Sequence, residues 1–120
     1  MLIYLASPYS HSDKEVRKQR YEKAVEANAK LIEQGFMVYS PIVHGHPLNQ
    51  YWKEHEEARM GWSFWEKFDT LMVRKSDALF VLAIDGWINS VGVTNELELA
   101  KRLYIPIKYV TEKIQVKDMI

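Results

Sequence analysis

Cysteine is absent from this sequence of 120 residues. Its absence excludes disulfides, thiolate zinc sites and cysteine nucleophiles. A surplus of charge of one sign is absent too, because 16 lysine and arginine residues balance 16 aspartate and glutamate residues. Proteins that hold nucleic acid through its phosphate backbone need a surplus of basic residues. We therefore expect no nucleic-acid polymer among the partners of this protein.

Long hydrophobic segments are also lacking. The apolar runs are far shorter than a membrane span, and residues 1–6 have neither the basic leader nor the apolar length of a signal peptide. We expect a cytoplasmic protein without a membrane partner. The composition, 48% hydrophobic and 27% charged, is typical of a globular protein. No linker or repeat divides the chain, so we expect one domain over residues 1–120.

Several motifs of nucleotide-dependent enzymes and hydrolases are missing. The sequence contains no P-loop, no G-x-G-x-x-G, no G-x-S-x-G and no H-E-x-x-H. These absences disfavour ATPases, dinucleotide-dependent enzymes, serine hydrolases and zinc proteases. His44 and His46 are too few for a metal site, which needs three or four ligands. We expect no metal and no cofactor, and we assign the two histidines to the wall of a substrate pocket or to an ordinary loop.

Apolar runs and helical periodicity alternate along the chain. Leu2–Ala6 is a short apolar run, as in a strand buried on both faces, and residues 78–84 form the most apolar stretch. The predicted elements are a strand at 2–6, a helix from Ser12 or Asp13 to Gly35, a strand at 36–40, a loop with a short helix at 42–61, a helix at 62–74, a strand at 78–84, a helix at 91–103, a strand at 105–110, and a short helix or tail over the last ten residues. This alternation predicts an α/β fold with a parallel sheet between helical layers.

The ends of the predicted strands are the candidate ligand-binding positions. In parallel α/β folds, ligands bind outside the carboxyl ends of the strands, where the strand order reverses. That rule selects residues 7–9, residues 40–42 with the loop that follows them, and residues 85–87. The loop at 42–61 is long and irregular, as functional lids often are.

Two carboxylates occupy positions where charge is unexpected. Asp69 shares one side of its predicted helix with apolar residues, and Glu96 shares a side with Leu99 and Leu103. Glu96 also lies near the start of its helix, where the helix dipole favours an ionised carboxylate. Two carboxylates aimed at one crevice are the minimum for glycoside-type chemistry, although Asp69 could equally cap a loop amide or pair with an arginine.

The remaining candidates have an ordinary structural explanation beside the functional one. Arg17 and Arg20 could bind an anionic group, or their aliphatic stems could cover apolar surface. Ser90 and Gly92 open a helix with a hydroxyl and free backbone amides, which suits a phosphate or carboxylate but also a plain N-cap. Trp87 follows a predicted strand end, where its ring could stack on a flat base.

Several motifs together resemble the nucleoside 2-deoxyribosyltransferase superfamily. Residues 3–9, I-Y-L-A-S-P-Y, are similar to its first strand and loop. Asp69 matches the aspartate on the helix before its third strand, and residues 90–97 are similar to its S-x-G-x-x-x-E motif. A short branch of the superfamily also has segments like S-P-I-x-H-x-H-P at 40–47, W-x-x-W-x-x-x-D at 62–69 and D-G-W-x-x-S-x-G at 85–92.

The resemblance implies a fold, an activity and a set of site residues. It implies a flavodoxin-like sheet with strand order 2-1-3-4, possibly a fifth strand, and a homodimer or larger homo-oligomer. It makes Glu96 the nucleophile and Asp69 the residue that handles the proton of the leaving base. It also implies that Ser90, Gly92 and either Arg17 or Arg20 hold a 5′-phosphate. The full set of expected substrate-binding residues is Tyr4, Ser7, Tyr9, Arg17, Arg20, His44, His46, Trp65, Asp85, Gly86, Trp87, Ser90 and Gly92.

Three functional hypotheses follow. The first is an N-glycosidase or N-glycosyltransferase that cleaves the N-glycosidic bond of a nucleoside or nucleoside 5′-monophosphate through a covalent glycosyl-enzyme on Glu96. The second is a non-catalytic nucleotide-binding sensor of the same fold. The third is a structural or partner-binding domain, which would be favoured if the candidate residues did not converge on one cavity.

Overall fold

The computed structural model of the protein describes residues 1–49, 51 and 62–120, without the side chains of residues 62–64. The strands are β1 (Leu2–Ala6), β2 (Met37–Tyr39), β3 (Ala78–Leu82), β4 (Ile107–Val110) and β5 (Val116–Lys117). The helices are α1 (Lys14–Glu33), α2 (Pro41–Asn49), α3 (Trp62–Lys75) and α4 (Val91–Arg102). No helix among these residues has the length and apolar character needed to cross a membrane.

The strands form one sheet in the order β2-β1-β3-β4-β5. The first four are parallel, and β5 runs antiparallel to β4. The predicted flavodoxin-like fold with order 2-1-3-4 and an added strand is therefore confirmed. Because β2 and β3 both flank β1, the strand order reverses at β1. The carboxyl end of β1 is thus the position at which this fold places a ligand.

Alternation along the strands separates the core into two layers. Ile3 and Leu5 of β1 pack with α1, whereas Tyr4 and Ala6 point to the opposite face, toward α3 and α4. The α1 layer contains Ile3, Leu5, Ala24, Ala27, Leu31, Ala78, Phe80, Leu82, Ile84, Val110 and Ile114. The layer of α3 and α4 contains Tyr4, Ala6, Val73, Leu79, Val81, Val93 and Ala100. Burial of both faces explains why the central strands are continuous apolar runs rather than alternating ones.

The helix starts agree with the capping residues predicted from the sequence. The Asp13 side chain accepts a hydrogen bond from the backbone N–H of Glu15 at 2.9 Å, and Ser90 Oγ accepts one from the N–H of Val93 at 3.2 Å. Each bond satisfies a backbone donor that has no partner within its helix. The cap at Ser90 fixes the start of α4, the helix that carries Glu96.

Two regions differ from the prediction. The last ten residues were expected to form a helix or tail, and that expectation is wrong, because a turn after β4 returns the chain as β5. Lys108 Nζ binds Asp118 Oδ1 at 2.6 Å across this pair. In the predicted loop at 42–61, the structure shows α2 from Pro41 to Asn49. The rest of that loop, residue 50 and residues 52–61, lies outside the described residues.

Candidate active site

A cavity of about 460 Å³ opens at the carboxyl ends of β1, β2 and β3. Eight of the residues singled out in the sequence line it: Ser7, Tyr9, His46, Trp65, Asp69, Ser90, Gly92 and Glu96. They come from the loop after β1, from α2, from α3 and from the start of α4. The fold therefore brings the two unexpected carboxylates to one cavity, as the hypothesis of a catalytic site requires.

Glu96 lies on the second turn of α4, with its carboxyl enclosed beneath the cavity. The pKa of this carboxyl is raised to about 8, mainly by burial; a hydrogen bond from the Tyr4 hydroxyl to Oε2 acts to lower it, and the charge of Asp69 acts to raise it. The helix dipole was expected to keep the carboxylate ionised. Here desolvation outweighs the dipole, whose influence decays beyond the first turn.

Asp69 on α3 is the second enclosed carboxyl. Burial raises its pKa to about 7. Its Oδ1 atom is buried and has no hydrogen-bond partner in the protein. Because the charge of Asp69 raises the pKa of Glu96, the two carboxyls share one electrostatic environment. With pKa values of about 7 and about 8, the two carboxyls together carry about one proton at pH values between these two.

Tyr4 connects the core to this pair. Its side chain is fully buried in the middle of β1, and its pKa is raised by burial and by the negative charges of Glu96 and Asp69. A phenol in that environment stays protonated and donates its hydrogen to Glu96. The strand that carries Tyr4 is central in the sheet, so this donor is held rigidly.

The opposite wall of the cavity is built by the loop after β1 and by α2. Tyr9 Oη lies 2.7 Å from His46 Nδ1, and the His46 ring stacks on Tyr21 with centroids 4.0 Å apart. Burial lowers the pKa of His46, and the nearby positive charge of Arg17 lowers it further. His46 is therefore neutral at pH 7 and able to donate from one ring nitrogen and accept at the other.

A family model described as "Domain of unknown function (DUF1937)" matches residues 1–112. The chain belongs to the DUF1937 family. Among solved structures, it is similar to a 2-deoxyribosyltransferase from Bacillus psychrosaccharolyticus, with a TM-score of 0.56 and 22% identity over 92% of this chain and 72% of that chain. This likeness shows a shared fold. No curated protein matches the sequence.

Other residues singled out in this DUF1937 chain lie outside the cavity lining. Arg20 Nη1 donates to the carbonyl of Ser10 at 2.9 Å, and its guanidinium lies so close to Gly86 that a Cβ there would collide with it. Gly86 also has a φ of +92°, which favours glycine. Arg20 therefore connects the β1–α1 loop to the turn after β3.

The expected aromatic stacking residue also points elsewhere. Trp87 packs against Tyr109, with ring centroids 5.6 Å apart, in the α3 and α4 layer of the core. Asp85 is exposed, and His44 is exposed beside Tyr39 and Phe68. A place at the end of a strand thus does not fix the direction of the side chain, and the position of Trp87 does not support stacking on a base.

Arg17 lies near the cavity without lining it. Its Nη1 donates to the backbone carbonyl of His11. Burial raises the pKa of Tyr9 and lowers that of His46, and the charge of Arg17 acts on both groups in the lowering direction. Of the two arginines considered for an anionic group, Arg17 is therefore the one whose field reaches the cavity wall.

Sequence reasoning missed part of the lining: Ser10, Gly45, Asn49, Asn89 and Val91. Gly45 permits close packing, because a Cβ at this position would lie 3.3 Å from the Trp65 ring. Five residues of α2 line the cavity, and four of them, Ile42, Gly45, His46 and Asn49, recur at helical spacing on one face. That spacing was available in the sequence and would have shown Gly45 and Asn49, had the helix been extended over residues 41–49.

The described part of this DUF1937 chain contains no candidate metal site. Over residues 1–49, 51 and 62–120, no cluster of three histidine, cysteine, aspartate or glutamate side chains could hold a metal ion.

Proposed function

We propose that this protein cleaves the N-glycosidic bond of a nucleoside or nucleoside 5′-monophosphate. The observation that carries the proposal is the pair of enclosed carboxyls, Glu96 and Asp69, which different helices bring to one cavity. The fold shared with a 2-deoxyribosyltransferase adds support, because that enzyme's name describes transfer of a deoxyribosyl group.

The proposed reaction has two steps. In the first, the Glu96 carboxylate attacks C1′, the bond from C1′ to the base nitrogen breaks, and its electron pair stays on that nitrogen, which takes a proton from Asp69. In the second, water or another base attacks C1′ of the glycosyl ester and gives a proton to Asp69, and Glu96 leaves as a carboxylate. Water as the acceptor gives hydrolysis, and a second base gives transfer.

The protonation states of the free site constrain this reaction. The productive form needs Glu96 ionised and Asp69 protonated, whereas the pKa values of about 8 and about 7 favour the reverse arrangement. Because the pKa of Glu96 is the higher of the two, the productive form is the less populated of the two singly protonated forms. The Tyr4 hydrogen bond favours that form, because it stabilises the charged Glu96.

An anionic group of the substrate would lie at the start of α4. Ser90 and Gly92 line the cavity there, although Ser90 Oγ already accepts the capping bond from Val93. The helix N-terminus favours negative charge, and Arg17 supplies a cation near the opposite wall. Binding of a 5′-phosphate, and assembly as a homodimer or larger homo-oligomer, stay predictions.

Chromatography of released base tests the proposal. The purified protein is incubated with ribo- and deoxyribonucleosides and their 5′-monophosphates, each with and without a second base. We expect base release that Glu96→Gln lowers by at least about a thousand-fold and that Asp69→Asn lowers by about a hundred-fold or more. Glu98→Gln, an exposed position on the same helix, is the matched control and should keep full activity. Release that survives Glu96→Gln would contradict the covalent mechanism.

A second candidate is a sensor that binds a nucleotide without turnover. The observation that favours it is the raised pKa of Glu96, because a carboxyl that is mostly neutral at pH 7 can bind a ligand without acting as a nucleophile. The sensor hypothesis predicts nucleoside binding that survives Glu96→Ala, together with no base release by the unmodified protein. A glycosidase needs both carboxyls, whereas binding alone does not.

A further inference from the structure

Buried polar atoms without a protein partner are concentrated at the cavity. Among the described residues, these side-chain atoms are Ser7 Oγ, Asn28 Oδ1, Asn49 Oδ1 and Asp69 Oδ1. All but Asn28 line the cavity. A buried polar atom that makes no hydrogen bond has lost its contact with water and gained nothing in return, which reduces stability. At a cavity wall, such an atom is a position where a hydrogen bond from a ligand is strongly favourable. The proposed reaction uses Asp69 and gives no role to Asn49.

The two ends of the Asn49 amide have different surroundings. The Asn49 side chain acts to lower the pKa of Tyr9, as an amide N–H directed at the phenol oxygen does, whereas Asn49 Oδ1 is buried and has no hydrogen-bond partner. The Tyr9 hydroxyl has one hydrogen, and accepting from Asn49 leaves that hydrogen for His46 Nδ1, 2.7 Å away. This chain of donors orients the amide, so that Oδ1 is the atom left free to accept.

Aromatic packing holds that chain in place. The His46 ring stacks on Tyr21 at an interplanar angle of 18° and meets the Tyr9 ring edge-on at 85°. Such contacts fix the plane of the imidazole, and with it the direction of the bond to Tyr9. Asn49, as the last residue of α2, is attached to the same helix as His46. The free Oδ1 is therefore a preorganised acceptor.

The charges around this acceptor restrict the group that could bind it. A carbonyl oxygen repels an anion, so a phosphate or carboxylate is disfavoured at this position. The positive charge of Arg17 reaches Tyr9 and His46 on the same wall of the cavity, so a cationic group is disfavoured as well. What remains is a neutral N–H or O–H donor.

We propose that Asn49 is a specificity-determining residue whose Oδ1 accepts a hydrogen bond from a neutral N–H or O–H group of the substrate. The inference rests on the proposed function, because it takes a nucleoside as the ligand. A nucleoside has two sources of such a donor, the exocyclic amino group of the base and the hydroxyls of the sugar. The experiment below separates them.

Calorimetric binding in a Glu96→Gln background measures recognition without turnover. The probes are adenosine and cytidine, their analogues without the exocyclic amino group, and their 2′-, 3′- and 5′-deoxy analogues. We expect Asn49→Leu to weaken binding of the parent nucleoside by about 10- to 30-fold and to leave one analogue unaffected, namely the one that lacks the recognised donor. Asn49→Asp keeps an acceptor oxygen and should restore part of the affinity.

Two further variants test whether the loss of binding comes from the lost acceptor atom rather than from altered packing. Asn49→Ala removes the acceptor without adding bulk, so the result does not depend on whether leucine fits the cavity wall. Asn28→Leu removes a buried, unpartnered Oδ1 that lies outside the cavity lining, and it should bind every probe like the parent protein.

Each outcome bears on the inference. A loss that disappears with the amino-free analogue assigns the base, and a loss that disappears with a deoxy analogue assigns a sugar hydroxyl. Equal weakening of all probes, or no weakening, overturns the role of Asn49. Protein that binds no probe overturns the inference together with the proposed substrate class. Protein that binds with this dependence on Asn49, but releases no base when Glu96 is intact, contradicts the proposed reaction alone.

Discussion

The two faces of the sheet bury different kinds of side chain. On the α1 face, Leu5 and Phe80 pack among aliphatic and alanine side chains, and none of the buried members of that layer can ionise. On the other face, Tyr4 takes its hydroxyl into the core and donates it to Glu96. One layer therefore only stabilises the fold, whereas the other lies beside two carboxyls whose raised pKa values reduce stability and which could react.

A substitution in the core layer that packs on α1 should have the largest effect on stability. Phe80 is 2% exposed and contacts the Phe36 ring at 5.3 Å between centroids. Phe80→Ala should lower the free energy of unfolding by about 3–4 kcal/mol, because it removes a large apolar side chain and leaves a cavity. Urea denaturation measures this loss. Leu71→Ala, which is 53% exposed on α3, is the control and should stay within about 0.5 kcal/mol. A loss below about 1 kcal/mol for Phe80→Ala would mean that this layer repacks easily.

On the other face, removing a charge should stabilise the protein. The pKa of Glu96 is about 8 in the folded chain and 4.5 in the absence of structure. Between these values the folded carboxyl keeps a proton that the unfolded one has lost, so stability falls as pH rises from 4.5 to 8. Glu96→Gln removes this penalty. We expect a gain of about 2 kcal/mol at pH 8, below the roughly 5 kcal/mol of a sealed carboxyl because the site faces an open cavity.

Unfolding in urea at two pH values checks that gain. Near pH 4 both forms carry a neutral side chain, so Glu96→Gln and the unmodified protein should have equal stability. Glu98→Gln alters an exposed carboxyl on the same helix and should change stability little at either pH. If Glu96→Gln were destabilising at pH 8, Glu96 would be ionised and well paired in the folded protein, contrary to the comparison of the two faces.

The contrast between the apolar core and the polar site also explains how much of the fold could be predicted. The buried strands are continuous apolar runs, so their order along the chain was readable, and the resemblance implied how they are arranged in the sheet. The resemblance allowed a fifth strand, but its position was not predicted, because Val116 and Lys117 are too few residues to give a periodic signal. Its pairing depends on the turn after β4, in which Ile114 has a φ of +59°.

Site residues could be predicted from the sequence where a charged residue interrupts an apolar helical pattern. Asp69 and Glu96 were found because each lies on an apolar side of its helix. Asn49 carries no such conflict, since an uncharged amide within the predicted loop at 42–61 is unremarkable in sequence. The direction of Trp87 could not be predicted, because it depends on how the turn after β3 packs on Tyr109.

The pH dependence of catalysis tests the roles proposed for Glu96 and Asp69. We expect kcat/KM for base release to rise through a pKa of about 7 and to fall through a pKa of about 8, because the reaction needs one proton on the pair. Asp69→Asn removes the titrating acid and the charge that raises the pKa of Glu96. The residual kcat/KM of Asp69→Asn should rise with pH through a single pKa, that of Glu96, which should lie below 8. A profile that is flat from pH 6 to pH 9, about a unit beyond each limb, would contradict a mechanism that uses this pair.

The smallest expected effect concerns Tyr4, on the face of the sheet that α3 and α4 cover. Tyr4→Phe keeps the ring and its packing but removes the hydroxyl that lowers the pKa of Glu96. The pKa of Glu96 should therefore rise, the alkaline limb of the kcat/KM profile should move to higher pH, and the rate at pH 7 should fall by about five- to ten-fold as the productive form becomes rarer. Tyr109→Phe makes the same change in the same layer at the Trp87 contact, and it should leave both limbs in place. If Tyr4→Phe lowers the rate without moving the alkaline limb, the hydroxyl acts on the substrate or on the fold rather than on the charge of Glu96.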